Sequence, residues 1–176
     1  MNWRSYRTTP VSVRPCTLPG HAAPPVLRFL QGLTRSCPPR AQASVFRLVW
    51  NGWCTDRRFQ HDTSCPFCRK VHSEDSIQHF PYCAVVREFA KRYLKLPALT
   101  FANWIGLDLS LHAQEDYRRR IYFLIWIIYR SRQHLVHALR PPDDTLDTIR
   151  QTMVGIPIHQ PGVKQVLREI RNAPTP

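Results

Sequence analysis

Apolar residues recur at helical spacing along most of the chain. Val26, Phe29, Leu30 and Leu33 predict a short helix over 26–34. The Cys37-Pro38-Pro39 step closes it, because a proline disfavours helical geometry in the residue before it. From Ala41 to Trp53, the residues Val45, Phe46, Leu48, Val49, Trp50 and Trp53 cover a wide helical face, with Asn51-Gly52 near its end. Ser73-Glu74-Asp75-Ser76 puts acids where a helix N-terminus favours them, so a second short helix is expected there, carrying Ile77 and His79 and ended by Pro81. Cys83 to Leu96 sets Val85, Val86, Phe89, Tyr93 and Leu94 on one side and Arg87, Lys91 and Arg92 mostly on the other, before Pro97. The longest predicted helix runs from Gln114 to Leu139. Its middle, Ile121 to Tyr129, is apolar nearly all round and demands cover from neighbours or from a partner. Two weaker amphipathic helices follow Pro141-Pro142, over Asp144 to Met153 and Pro161 to Arg171. No internal repeat and no strand pair is visible.

The pattern predicts a mainly α fold, and the spacing of Cys65, Cys68, His79 and Cys83 makes its first part a small helical module stapled by zinc, followed by further helices and preceded by a disordered basic arm. Residues 1–25 are rich in Pro, Thr, Ser and Arg, and no acidic residue occurs before Asp56, so this arm buries too little apolar surface to offset ordering entropy. Residues 26–96 form the expected zinc module, 97–140 a linker and the long apolar helix, and 141–176 weak C-terminal helices or a tail. Ile121 to Tyr129 spans nine residues, far short of the roughly 18 to 20 that cross a bilayer. No membrane association is expected, and the N-terminus lacks the apolar segment of a secretory signal.

Charge sets the sign of the partner. The chain has 25 Lys and Arg against 12 Asp and Glu, a formal net charge of +13 that favours a polyanion such as RNA or DNA. Six cysteines in 176 residues are too sparse for a disulfide scaffold, and their clustering points to metal ligation in a reducing intracellular compartment, the nucleus ahead of the cytoplasm.

Cys65-Pro66-Phe67-Cys68, ten intervening residues, and His79 followed by Cys83 give the spacing C-x2-C-x10-H-x3-C. A C-x-x-C turn supplies two thiolates, and a His with a Cys four positions later supplies the other pair of a Zn2+ tetrahedron. Four protein ligands leave no open position, so the expected role is structural, and hydrolysis at the metal is disfavoured. His72 and Cys54 are the competing donors. The alternative is that the cysteines are buried apolar thiols and His79 an interior side chain.

The order of Pro38-Pro39-Arg40, Phe46-Arg47-Leu48, Trp50-Asn51-Gly52-Trp53-Cys54-Thr55, Arg57-Arg58-Phe59, Cys65 to Cys68, Glu74-Asp75-Ser76-Ile77-Gln78-His79 and Cys83 resembles a known region. That region is the zinc-binding segment C-terminal to the reverse transcriptase domain of non-LTR (LINE-type) retrotransposons. The resemblance covers about residues 38–90 and implies an all-helical zinc module that assists the handling of template RNA or target DNA. It does not imply polymerase activity. A polymerase palm needs paired metal-binding aspartates, whereas Glu74-Asp75, Glu115-Asp116 and Asp143-Asp144 all fall in helix-start or loop settings.

Two functions follow as expectations. In the first, the module binds nucleic acid through Arg57, Arg58, Arg69 and Lys70 beside the metal, with Phe59, Phe67, Phe80 and Tyr82 available for stacking. Burial around the metal is the favoured role for Phe59 and Phe80, and helix-end capping is an equal alternative for the two arginines. In the second, the chain is a protein-interaction or vestigial lobe that packs on a polymerase or other partner through Ile121 to Tyr129.

Overall fold

The computed structural model describes residues 23–55, 64–108, 110, 115–138, 142–157 and 163–172. It is mainly helical, and its only β pairing among the described residues is one antiparallel bridge, Ser64 to Glu74. Most of the expected basic arm lies outside the described residues. Helix α1 (Ala23–Ser36) nevertheless starts earlier than its apolar spacing predicts. Pro24 and Pro25 sit in its first turn, where their missing N–H groups cost no hydrogen bond. Val26, Phe29 and Leu33 are buried, as the spacing requires.

Helix α2 (Pro39–Val49) begins on a proline and ends four residues before the expected Trp53. Asn51 adopts a left-handed backbone (φ 51). Its N–H then bonds the carbonyl of Leu48, and the N–H of Gly52 bonds that of Arg47. This pairing satisfies the carbonyls of the last turn and stops the helix.

The short helix expected at Ser73 does not form. Residues 73–79 run through turns into a single 3-10 turn, Phe80–Tyr82. Helix α3 (Ala84–Leu94) follows, and left-handed Lys95 (φ 52) ends it ahead of Pro97. Helix α4 (Phe101–Trp104), not predicted, is held by a reciprocal cap in which Thr100 and Asn103 each accept the other's backbone N–H. Helices α5 (Glu115–His137), α6 (Thr145–Val154) and α7 (Val163–Asn172) match the remaining periodic segments.

Helix α5 is the axis of the fold and packs against α1, α2, α3, α6 and α7. Every side chain from Ile121 to Ile128 is 2 % exposed or less, which stabilises the fold by about 1.5–3 kcal/mol for each large apolar residue. The chain's own helices thus cover Ile121 to Ile128 of the segment expected to meet a partner, and Tyr129 is half-buried. The C-terminal helices belong to the same core, since Ile149, Val163 and Val166 are buried in it. At the α1–α5 crossing the Tyr122 hydroxyl donates to the Phe29 carbonyl, and the two rings meet edge to face at 4.9 Å. Gly106 (φ 78) closes the turn after α4 against Phe29, where a Cβ would lie 2.3 Å from the ring. Among the described residues no helix is long and apolar enough to cross a membrane.

Candidate metal centre

Two short segments build the centre. The first is the turn from Cys65 to Ser73, whose base is closed by Cys65 N–H donating to the Ser73 carbonyl at 2.8 Å. Within it the Arg69 N–H returns to the Cys65 carbonyl at 2.9 Å, and Arg69 and His72 take left-handed backbone (φ 50 and 65). That curl brings Cys65 and Cys68 onto one side. The second segment is the 3-10 turn: His79 precedes it, Cys83 follows it, and the Cys83 N–H bonds the His79 carbonyl at 2.9 Å. Pro81 therefore shapes the H-x3-C pair by holding this turn.

The ligand atoms of Cys65, Cys68, His79 and Cys83 all lie within 4.8 Å of one another and could hold one metal ion. The Cys65 and Cys83 sulfurs are 4.0 Å apart, and the Cys68 sulfur is 3.4 Å from His79 Nε2. No disulfide joins these thiols. The Cys83 thiol is pulled down, first by its hydrogen bond with Cys65 and then by the backbone N–H groups of Val86 and Val85 at the start of α3. The same contact, with burial, pushes the Cys65 thiol up. The two thiols thus face each other across a space where a cation could displace their protons. Ser73 lies beside the centre, its hydroxyl 3.4 Å from the Cys68 sulfur and donating to the Lys70 carbonyl at 2.6 Å. The group forms without the competing donors: His72 and Cys54 both point to solvent.

Three contacts tie the centre to the helices. Asp75, expected at a helix start, is instead 1 % exposed and takes a forked pair of bonds from the equally buried Arg132 of α5. The Arg132 Nε is 2.9 Å from Oδ1 and 3.1 Å from Oδ2, and Nη2 also bonds Oδ2. Thr145, at the start of α6, donates its hydroxyl to the Phe67 carbonyl at 2.8 Å. Arg69 reaches the Pro142 carbonyl at 2.6 Å. Sequence reasoning missed the Asp75–Arg132 pair. Its one local signal is an arginine on the stripe that also carries Leu124, Ile128 and Leu135.

The predicted nucleic-acid contacts divide. Arg57 and Arg58, with Phe59, lie outside the described residues. Arg69 and Lys70 are exposed on the metal turn. Of the candidate stacking rings, Phe67 and Phe80 are buried and pack edge to face at 5.7 Å, so they belong to the core. Trp53 extends that cluster to Phe80, Trp104 and Tyr129, and its indole N–H donates to the Ser44 carbonyl at 3.0 Å. Tyr82 is half exposed beneath the Arg87 guanidinium, which lies 5.7 Å from its ring centre. No protein-family model, curated protein or solved structure matches this chain.

Proposed function

We propose that the chain is a structural zinc module that binds single-stranded RNA or DNA. In this reading it derives from the region C-terminal to a non-LTR retrotransposon reverse transcriptase, has no polymerase activity of its own, and acts in the nucleus. The observation that carries it is the closed set of four nitrogen and sulfur donors bordered by Arg69 and Lys70. A zinc tetrahedron places two sulfurs about 3.8 Å apart and a sulfur and a nitrogen about 3.6 Å apart. The 4.0 and 3.4 Å separations bracket those values. Three thiolates and one imidazole also suit zinc better than the oxygen-seeking cations. With four protein ligands the ion keeps no water, so its contribution is to folding, on the order of 10 kcal/mol or more. The net charge of +13 supplies the attraction for a polyanion.

The competing reading, a lobe that docks on a partner through Ile121 to Tyr129, draws no support from the packing of Ile121 to Ile128, whose side chains are already covered. The test has two arms. Elemental analysis of the purified protein should find one zinc per chain, and none after Cys65→Ser. Binding of the metal-loaded protein to labelled single-stranded oligonucleotides should weaken steeply as salt rises, with a slope of about −0.7 per phosphate contacted. Undetectable or salt-insensitive binding would overturn the nucleic-acid reading and leave the metal assignment standing.

A further inference from the structure

Helix α2 shows two unlike faces. Ala41, Ser44, Val45 and Leu48 are buried against α5 and α1. On the opposite arc, at about 100° per residue, Phe46, Pro39, Trp50, Ala43, Arg47 and Arg40 succeed one another, and all six are exposed. Trp50 is 71 % exposed and Phe46 36 %, although large aromatic side chains are normally among the most buried. Left-handed Asn51, with the N–H groups of Asn51 and Gly52 bonded back to Leu48 and Arg47, ends the helix at Trp50, so the ring is presented from a capped helix end. Arg47 is held as well: its Nη1 donates to the Tyr129 hydroxyl at 2.9 Å, and its guanidinium lies 5.7 Å from that ring's centre. One edge of the arc is aromatic and the other cationic. No carboxylate opposes them on α1 or α2, since the first acidic residue of the chain is Asp56.

The geometry points to this arc as a binding surface for single-stranded nucleic acid, with bases stacking on Trp50 and Phe46 and phosphates meeting Arg47 and Arg40. The inference rests on the nucleic-acid reading above and adds a second contact region to Arg69 and Lys70. A protein partner would have to set carboxylates beside an apolar patch in matching register to use this face. A single strand uses both rings and cations, because every base has a π-face and every linkage a negative charge. Phe46 and Trp50, one helical turn apart, lie on the same side and can act together. From Arg40 to Trp50 the helix rises about 15 Å, room for more than one nucleotide.

The test uses the full-length, metal-loaded protein and a labelled oligothymidylate or oligouridylate, read by fluorescence anisotropy. Trp50→Ala should weaken binding about tenfold, within the range for one stacked base, while Trp50→Phe should stay near wild type. Arg40→Gln should reduce the steepness of the salt dependence by about 0.7. Trp53, Trp104 and Trp126 are buried, so with Trp3 replaced by Phe in both backgrounds, quenching of intrinsic fluorescence by unlabelled strand should fall sharply in Trp50→Phe even though affinity is kept. Circular dichroism and zinc content should not change, because Trp50 contributes little to the core. Equal binding by wild type and Trp50→Ala would overturn this surface and leave the broader function intact. So would a Trp50→Ala effect confined to self-association in sedimentation, which would mark the arc as a contact between copies. Absence of any binding by the wild type would overturn both.

Discussion

Replacing Arg132 by Met tests whether the buried ion pair fastens the metal segment to the fold. Both partners are 1 % exposed, so solvent screening does not soften the loss, and the methionine stem fills most of the vacated volume. What remains is the Asp75 carboxylate, buried and stripped of its forked partner. Breaking a buried pair in this way costs about 3–5 kcal/mol, a large share of a domain's net stability of about 5–15 kcal/mol. With a urea dependence of about 2 kcal/mol per molar, the unfolding midpoint of the metal-loaded protein should drop by about 1.5–2.5 M. Arg132→Lys should fall between, since an ammonium cannot reproduce the fork. Asp75→Leu combined with Arg132→Met should cost less than the two single changes together, because the double variant leaves no orphaned charge. A cost for Arg132→Met below about 1 kcal/mol, the range of an exposed pair, would refute the reasoning.

Three further outcomes follow from the same packing. Trp53→Ala should lower stability by about 3–5 kcal/mol in thermal or urea unfolding, because Trp53 joins α2 to Phe80, Trp104 and Tyr129 and fills the space among them. Burial raises the Cys37 thiol from its ordinary 9.0 to about 12, against the opposing pull of Arg119 and Arg118. Its folded-state stabilisation is therefore complete below pH 9 and should be lost as pH rises through about 12, with Cys37→Ala flattening that alkaline limb of the stability profile. Brief alkylation of the metal-loaded protein at neutral pH, mapped by mass spectrometry, should modify exposed Cys54 and spare buried Cys37. Labelling of Cys37 at an equal rate would contradict its burial.

Helix positions were legible because apolar spacing is a local record of one buried face. Val26, Phe29 and Leu33 on α1, and the unbroken run on α5, name their own elements. The meeting of Cys65, Cys68, His79 and Cys83 was legible for a related reason: coordination chemistry limits spacing, and C-x2-C with H-x3-C suits a tetrahedral set of donors without reference to the rest of the chain. What stayed hidden depended on distant partners. Glu74-Asp75 looks like a helix start because the attraction of acids for helix N-termini is a local rule, whereas Asp75 pairs with a cation 57 positions away. Helix α4 was missed because four residues carry less than two turns of periodicity. The end of α2 was misplaced because Trp50 and Trp53 continue the apolar rhythm past a backbone reversal that only Asn51-Gly52 marks.

On the zinc reading proposed above, the dependence of the fold on the ion should be local, and the backbone says why. Residues 64–83 carry one β bridge, a run of turns and a single 3-10 turn. Left-handed Arg69 and His72, neither of them glycine, add about 1 kcal/mol or more of strain each. Backbone hydrogen bonding of this sparse kind contributes little, so the segment rests on its buried side chains, on its ties to Arg132 and Thr145 and, in the proposed reading, on an ion contributing on the order of 10 kcal/mol. The contacts of α5 with α1, α2 and α7 involve none of the four ligands. Chelation should therefore release the metal turn and loosen Phe80 from Trp53, diminishing the near-ultraviolet circular dichroism of the aromatic cluster, while most far-ultraviolet helical signal persists. Acidification should reproduce the effect, because protons compete for the thiolates and the imidazole as pH falls. Simultaneous collapse of both signals on chelation would mean that the ion supports the whole bundle, and that Asp75–Arg132 transmits its loss to α5 instead of confining it.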